Sequence, residues 1–435
     1  MRILIIADEV WNDDIHGNNV LTNWFLDFPA EFAEIYCSPG EPLNKCCRKY
    51  FQITDSMMAK SIIGGAKAGK ELNYKDYPQN DTLKKGEQEN KKFYTFMKKI
   101  KGNFLRLVRE EIWLLGKYDI KKLKKFIRNF DPDVIFCPRM ASAKLLRLEA
   151  ILQRISHKPM IAFTGDDEFS LAHICFSPFF WIRRFMIRSR MKKLIPSYSL
   201  YYTHSIQQAE EYRKVFKIPV KNLYKCGIFD ENRIHTKVNQ VIKITYIGRI
   251  YVNRWKTLAM MGRVIKELNR DSHKIVLEVY TKDDMTKHQR ELLNDGENII
   301  LNGSCTPDEI QGIYDHSDIA LHVESFDTRN MLTTRYSFST KIIDCLASGC
   351  AVMAVCNPNQ AGFDYLRKND AALTASNEVE LKKVLKSMID DHRLIREYAK
   401  KAYCCGKQLH NKEKTQKMLY DDFTNVIVSY NGDIK

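Results

Sequence analysis

Residues 339–354 read Ser-Thr-Lys-Ile-Ile-Asp-Cys-Leu-Ala-Ser-Gly-Cys-Ala-Val-Met-Ala. This stretch is typical of a polar loop that runs into a short helix and then into a buried strand. Ser339, Thr340 and Lys341 would stand at the N-terminus of that helix, where backbone N–H groups and the helix dipole can bind an anion. Asp344 follows one turn later. A phosphate-binding turn with a carboxylate behind it suggests a nucleotide.

Length and composition indicate a folded protein of two domains. The chain has 435 residues, which is more than one core usually supports. Its twelve cysteines are scattered, as expected of reduced thiols in a cytoplasmic protein. No targeting signal is evident, and no apolar run approaches the roughly 18 residues of a membrane-spanning helix. We therefore expect a soluble or peripheral protein, and the net charge of +16 predicts an anionic partner.

Two segments concentrate the positive charge. Residues 91–128 hold thirteen Lys and Arg against three acidic residues, and residues 179–194 hold six basic and no acidic residues. Both are typical of basic amphipathic helices, which can lie in the interface of an anionic bilayer. The alternative is a solvated helix whose apolar stripe packs on a sheet. Nucleic acid ranks below both, because no zinc finger, RNP-type motif or helix-turn-helix is evident. We therefore expect a peripheral location on the inner face of the plasma membrane.

Short apolar runs alternate with helical patterns in both halves of the chain, which predicts α/β domains with parallel sheets. Strands are expected near 2–7, 131–136, 159–163 and 199–203, and then near 242–247, 274–280, 299–301, 319–323, 351–355 and 372–374. A helix is expected at 20–26 and a long surface loop at 64–89. The predicted domains are 1–235 and 236–415, with a helix at 416–435 that packs back on the first domain.

The order and spacing of several motifs resemble a GT-B glycosyltransferase of the family 4 type, found in bacterial surface polysaccharide synthesis. The nucleotide-sugar-binding half is matched at residues 246–250, 253–258, 302–303, 317–319 and 339–352. Residues 1–38 and 164–170 resemble the acceptor half. The resemblance implies the α/β GT-B fold, in which two doubly wound Rossmann-like domains face a central cleft. Ligands bind such sheets at the carboxyl ends of the strands.

The resemblance assigns the donor diphosphate to the turn after the first strand of the second domain. This turn holds Gly248 and Arg249, and Arg254 and Lys256 follow it. The three basic side chains would place cations beside the leaving group without a metal or a cofactor. The 339–341 turn and Asp344 complete the expected donor site. The alternative for the cations is an ordinary surface helix start.

The acidic pair of the family is incomplete in this chain. A Glu-x7-Glu arrangement is common there, and its second acid contacts the donor ribose. Asp344 matches the second position and can accept hydrogen bonds from hydroxyls, but Tyr336 stands at the first. The missing role is open to Glu324 or to the backbone of 339–341.

The first domain is expected to bind the acceptor. His16, Gly17, Asn18 and Asn19 form a loop after the first strand that can approach a sugar or phosphate closely, or is a simple turn.

A run of acidic residues, Asp166, Asp167 and Glu168, follows a predicted strand. Crowding can raise the pKa of one carboxylate toward the range of a general base, for which Asp166 or Asp167 is expected, with Glu168 next. The alternative is that the cluster caps a helix or shapes the loop. The resemblance favours retention of configuration, in which case Asp166 or Asp167 would instead position the acceptor.

The resulting hypothesis is a glycosyltransferase that moves a sugar from a nucleotide sugar to a lipid-linked saccharide at the inner membrane face. The expected partners are the donor, that acceptor and an anionic membrane surface, without nucleic acid. A membrane-surface binding protein with the GT-B fold and little catalysis is the alternative, because the first acid is missing.

Overall fold

The computed structural model describes residues 1–14, 20–74, 102–138, 140 and 142–433. Contacts divide the chain into two compact units. The first holds Met1–Leu223 and the segment from Thr415 onward, and the second is Tyr224–Lys414.

The first unit is built on an eight-stranded sheet in the order β4-β3-β2-β1-β5-β6-β7-β8. All neighbouring strands are parallel except β3 and β4, which form an antiparallel edge. The strands are β1 Arg2–Ala7, β2 Glu31–Tyr36, β3 Cys47–Gln52, β4 Lys70–Asn73, β5 Val134–Pro138, β6 Met160–Thr164, β7 Tyr198–Thr203 and β8 Val220–Asn222.

The second unit is built on a six-stranded parallel sheet in the order β11-β10-β9-β12-β13-β14. This is the doubly wound order of nucleotide-binding sheets, with the direction of winding reversing between β9 and β12. Residues that follow these two paired strands therefore meet at one edge. The strands are β9 Ile242–Ile247, β10 Ile275–Tyr280, β11 Ile299–Gly303, β12 Ile319–Val323, β13 Ala351–Val355 and β14 Leu373–Ala375.

Helices cover both sheets, and the buried strands between them form the two cores. In chain order the described helices are α1 Val20–Phe25, α2 Asp55–Ile63, α3 Asn103–Leu115, α4 Ile120–Phe130, α5 Ala143–Ser156, α6 Pro178–Leu194, α7 Ile206–Phe216, α8 Arg254–Leu268, α9 Lys287–Leu292, α10 Glu309–Asp315, α11 Thr328–Thr334, α12 Lys341–Ala347, α13 Ala361–Lys368, α14 Glu378–Asp390, α15 Arg393–Leu409 and α16 Lys412–Asp433. No helix among these is both long and apolar enough to cross a bilayer.

Helix α16 carries the chain back into the first unit. Phe423 is fully buried there, with its ring centroid 5.7 Å from that of Phe136. The hydroxyl of Tyr202 donates to Asp422 at 2.6 Å. The first unit ends at Leu223, before the predicted boundary at 235, because Tyr224 packs its ring 4.9 Å from that of Phe338 in the second unit.

The predicted basic segment 91–128 is not one helix in its described part. Residues 91–101 lie outside the described chain, and α3 and α4 cover most of the remainder. Helix α4 buries one apolar stripe in the core and leaves its lysines toward solvent, as the packing alternative expects. Its buried residues are Leu123, Phe126, Ile127 and Phe130.

Candidate active site

The turn after β9 is strained in its backbone. Val252 and Asn253 both have positive φ, at 51° and 61°. The left-handed region is costly for a β-branched residue, and such strain persists only where the surrounding structure enforces it. The turn is held on one side by Asp283, whose Oδ2 accepts from the backbone N–H of Ile250 at 2.7 Å. It ends by presenting Arg254 as the first residue of α8.

Arg254 forms a buried, bidentate ion pair with Glu324, which follows β12. Nε donates to Oε2 at 2.9 Å and Nη2 donates to Oε1 at 2.6 Å. Burial lowers the pKa of Arg254, but the carboxylate of Glu324 outweighs it and the net shift is upward. Glu324 thus holds a permanently charged guanidinium in one orientation.

Lys341 brings a second cation to the same place from α12. Its ammonium lies against Gly248, where a Cβ atom would overlap Nζ, so the missing side chain of Gly248 makes room for Lys341. Burial and then the charge of Arg254 lower the pKa of Lys341 to about 8. His322 on β12 is buried beside both cations, and burial followed by their charges lowers its pKa to about 3. The neutral histidine adds no charge, so the site is cationic.

The N-terminus of α12 is partly closed by its own turn. The N–H groups of Ile342 and Ile343 donate to the carbonyls of Ser339 and Thr340, at 3.0 Å and 3.2 Å. These two N–H groups are already bonded, so the ammonium of Lys341, rather than the backbone of the turn, is the group best placed to bind an anion.

Asp344 is half-exposed one turn into α12, and its Oδ1 accepts from Nζ of Lys225 at 2.9 Å. The ring of Tyr336, at the position of the missing acid, lies 4.2 Å from the guanidinium carbon of Arg335. The acid close to the cations is instead Glu324.

Two shallow cavities flank this site, each within the size range of small-molecule sites. One of about 350 Å³ is lined by Arg249, Ile250, Tyr251, Val252, Asn253, Trp255, Asp283, Asp284 and Gln289. The other, of about 330 Å³, is lined by Thr281, Lys282, Asp283, Met285, Arg290, Leu301, Gly303 and Ser304. Asp283 borders both and also pairs with Arg249. Lys256 is exposed, with Nζ 5.6 Å from the centroid of the Trp255 ring.

The acidic loop of the first unit is divided by burial. Asp167 is buried and accepts from the backbone N–H of Ser170 at 2.9 Å and from Arg184 at 3.4 Å. Glu168 is also buried, whereas Asp166 is exposed just beyond the carboxyl end of β6. This arrangement favours a loop-shaping role for Asp167 and leaves Asp166 as the carboxylate accessible to a ligand. The predicted loop of His16, Gly17, Asn18 and Asn19 lies outside the described residues.

The structure thus brings Gly248, Arg249, Arg254 and Lys341 together, with Asp344 one turn away. Sequence reasoning missed His322, Asp283 and Lys225. A histidine inside the apolar run of β12 was the available signal for His322. Asp283 stands in a polar run directly after a predicted strand, and Lys225 carries no signal in the sequence.

Residues 253–419 match a family model described as glycosyl transferase-like (Glyco_trans_1_2). The matched segment begins one residue before Arg254 and includes Glu324, Lys341 and Asp344. A comparison with curated proteins gave no match.

Solved structures resemble the whole chain. A UDP-forming α,α-trehalose-phosphate synthase from Burkholderia xenovorans, in complex with glucose 6-phosphate, is 9% identical with a TM-score of 0.58, covering 98% of this chain and 100% of that one. Sucrose-phosphate synthase from Thermosynechococcus elongatus is 11% identical with a TM-score of 0.60, covering 99% and 100%. HepE from Anabaena, in complex with UDP, is 11% identical with a TM-score of 0.60, covering 98% and 100%.

At these identities the likeness defines the fold. It confirms the predicted α/β class with Rossmann-like domains. The chain has the fold of the GT-B glycosyltransferases, and its residues 253–419 form a glycosyl transferase-like segment.

Proposed function

We propose that this chain is a glycosyltransferase that moves a sugar from a nucleotide-sugar donor to a lipid-linked saccharide acceptor in bacterial surface polysaccharide synthesis. The observation that carries the donor part is the convergence of Arg254 and Lys341 within the glycosyl transferase-like segment. A nucleoside diphosphate gains negative charge as its bond to the sugar breaks, and fixed cations stabilise that charge.

The proposed reaction requires no metal, because two side-chain cations meet the diphosphate. Arg254 is oriented before the donor arrives, so no reorganisation accompanies the reaction. Lys341 is the adjustable charge, since a bound diphosphate would raise its lowered pKa and keep it protonated. Asp344 is proposed to accept hydrogen bonds from the ribose hydroxyls.

The acceptor part rests on the first unit. Asp166 is the exposed carboxylate after β6 and is proposed to bind an acceptor hydroxyl. The net charge of +16 supports an acceptor at an anionic surface. A lipid-linked saccharide combines hydroxyls with such a surface.

A donor screen tests the proposal. The full chain is incubated with a panel of nucleotide sugars and bacterial lipid extract, and both released nucleotide and product mass are measured. UDP sugars come first, because the similar HepE structures contain UDP and UDP-glucose. Lipid-dependent release from one donor, unchanged by a chelator of divalent metals, is expected.

Two variants and a matched control assign the site. Arg254→Ala and Lys341→Ala should each lower turnover by about 10²-fold or more. Arg263→Ala on the same helix should not, because its side chain is 64% exposed and pairs with Glu378 instead. Wild-type turnover in Arg254→Ala would refute the site. Tight nucleotide binding without any transfer would favour the binding-protein alternative.

A further inference from the structure

The first unit carries an exposed apolar surface on α6, on α3 and on the loop before α6. We call it the aromatic face and define it by Phe104, Phe176, Phe179, Ile182 and Phe185. Phe176 is 96% exposed, and Ile182 and Phe185 are each 53% exposed. Contiguous exposed apolar surface of this kind marks an interaction site, whereas single exposed residues do not.

Two contacts fix the elements that carry the aromatic face. The rings of Phe104 and Phe179 lie 5.1 Å apart and join α3 to α6. The indole N–H of Trp181 donates to the carbonyl of Cys175 at 2.8 Å, which fixes the backbone next to Phe176. The loop thus holds the ring of Phe176 toward solvent, where the ring can insert into an apolar environment outside the protein.

The opposite side of α6 is anchored in the unit. Arg184 donates to the carbonyls of Ser170 and Asp167, at 2.9 Å and 2.8 Å. Arg183 binds Glu110 of α3, and the guanidinium of Arg188 stacks 3.8 Å from the Phe169 ring centroid. These arginines fix the helix on the fold and are not available to a partner.

The exposed stripe of α6 changes character along the helix. Ile182 and Phe185 recur at helical spacing and are followed, on the same side, by Ser189, Lys192 and Lys193, all exposed. From Ser170 to Leu194 the chain contains no Asp or Glu. One stripe thus joins an apolar half to a cationic half, so the same surface of the unit presents both apolar and cationic side chains.

We propose that the aromatic face, together with Lys192 and Lys193, docks the protein on an anionic lipid bilayer. The rings enter the acyl boundary, where aromatic side chains are favoured, and the two lysines meet lipid phosphates. An anionic bilayer matches both halves of the stripe, because it offers an acyl boundary to the rings and phosphates to the lysines. The inference goes beyond the sugar chemistry and does not depend on it.

Vesicle flotation of the full chain tests the docking. Wild type should float with vesicles of phosphatidylglycerol in phosphatidylcholine, less with phosphatidylcholine alone, and less at high salt. The triple variant Phe176→Ser/Ile182→Ser/Phe185→Ser should bind both vesicle types at least about tenfold more weakly. Each substitution removes the favourable free energy of transferring an apolar side chain from water into the bilayer. Lys192→Gln/Lys193→Gln should lose about tenfold on anionic vesicles and little on neutral ones.

Matched controls separate the stripe from general effects. Ile63→Ser/Val379→Ser removes two exposed apolar side chains elsewhere, at 93% and 66% exposure. Lys383→Gln/Lys386→Gln removes two exposed cations from α14. Both controls should float like wild type, and all variants should keep the wild-type melting temperature.

Three results would overturn the proposal. Wild type could remain unbound with anionic vesicles at low salt, or the triple serine variant could float as wild type does. Sedimentation could instead show a dimer that the triple variant abolishes, which would make a second copy the partner of this face. Failure of docking leaves nucleotide binding in solution by Arg254 and Lys341 untouched, so calorimetry with the nucleotide alone distinguishes it from failure of the proposed function.

Discussion

Glu324 and Arg254 are bound to each other through both oxygens of the carboxylate and two nitrogens of the guanidinium. The backbone carbonyl of Glu324 also accepts from Thr257 Oγ1 at 2.8 Å, on the same helix as Arg254. Helix α8 and the end of β12 are therefore locked together at the cationic site. Glu324 acts as a positioning residue, since its contact is with the arginine.

Removal of Glu324 should destabilise the fold and the reaction by different routes. Glu324→Ala leaves a buried guanidinium unpaired and should lower the free energy of unfolding by about 3 kcal/mol, measured by urea unfolding. Glu324→Ala/Arg254→Met removes both charges and should recover most of that loss, while turnover stays low for want of the cation. A double variant no more stable than the single one would contradict this account.

Gly248→Ala should weaken donor binding with little effect on stability. The new Cβ would overlap Nζ of Lys341, and a flexible lysine can yield by moving its ammonium away. We expect about a tenfold rise in the dissociation constant of the donor nucleotide, measured by calorimetry, from the loss of one charged hydrogen bond. Gly312→Ala is the control, because its Cβ would have no neighbour within 4 Å in the part of the chain that the structure describes. Unchanged binding in Gly248→Ala would remove Lys341 from the site.

Nucleotide affinity should fall as the pH rises through about 8. The pKa of Lys341 is lowered to about 8 by burial and Arg254, so its ammonium form is lost above that pH, well before an ordinary lysine would lose it. The alkaline limb of kcat/KM reports this group in the free enzyme. Lys341→Met should bind the nucleotide weakly and lack this limb. A limb near pH 8 that persists in the variant would assign it to another group.

Asp344→Asn should raise the dissociation constant of the donor nucleotide about tenfold, because a charged acceptor is lost. A deoxy analogue that lacks the ribose hydroxyl should bind wild type and variant equally. Lys225→Met is the control for stability, since a half-exposed ion pair contributes about 0–1 kcal/mol. If the variant weakens nucleotide and analogue to the same extent, Asp344 does not contact the ribose.

Acid should destabilise the first unit partly through His204. Burial lowers its pKa to about 4, and Nε2 has no hydrogen-bond partner among the described residues. The unfolded chain binds the proton at higher pH than the fold, so stability is lost as pH falls from about 6.5 toward 4. Between pH 7 and 5 the loss is about 2 kcal/mol, and His204→Leu should reduce the measured drop by that amount. An equal drop in the variant would refute this role.

The sequence predicted the second unit closely because most residues of its strands are apolar. The ranges 242–247, 319–323 and 351–355 coincide with β9, β12 and β13. In the first unit, β2 and β3 were not predicted, because both contain charged residues within the strand. Glu34 of β2 is fully buried and burial raises its pKa to about 8, so a charged residue type stands where an interior strand is expected to be apolar. β4 is a polar edge strand inside the predicted loop 64–89.

The positions of site residues could be predicted where they directly follow a strand in the chain. They could not be predicted where two segments far apart in the sequence come into contact. The turn with Gly248, Arg249 and Arg254 follows a strand, so its position could be predicted. The pairing of Lys225 with Asp344 joins segments far apart in the chain. The arginines of α6 illustrate the same limit, because a basic helix predicts headgroup contacts, yet Arg183, Arg184 and Arg188 bind their own fold.

Helix α16 reaches its place in the first unit only after the whole second unit has been synthesised. Until then the pocket around Phe25, Phe28 and Phe136, which Phe423 fills, stands open on the ribosome. The sheet of the first unit therefore lacks the cover of α16 while residues 224–414 are synthesised. We expect slower translation of residues 224–414 to increase the fraction of the chain that aggregates before Phe423 covers these rings.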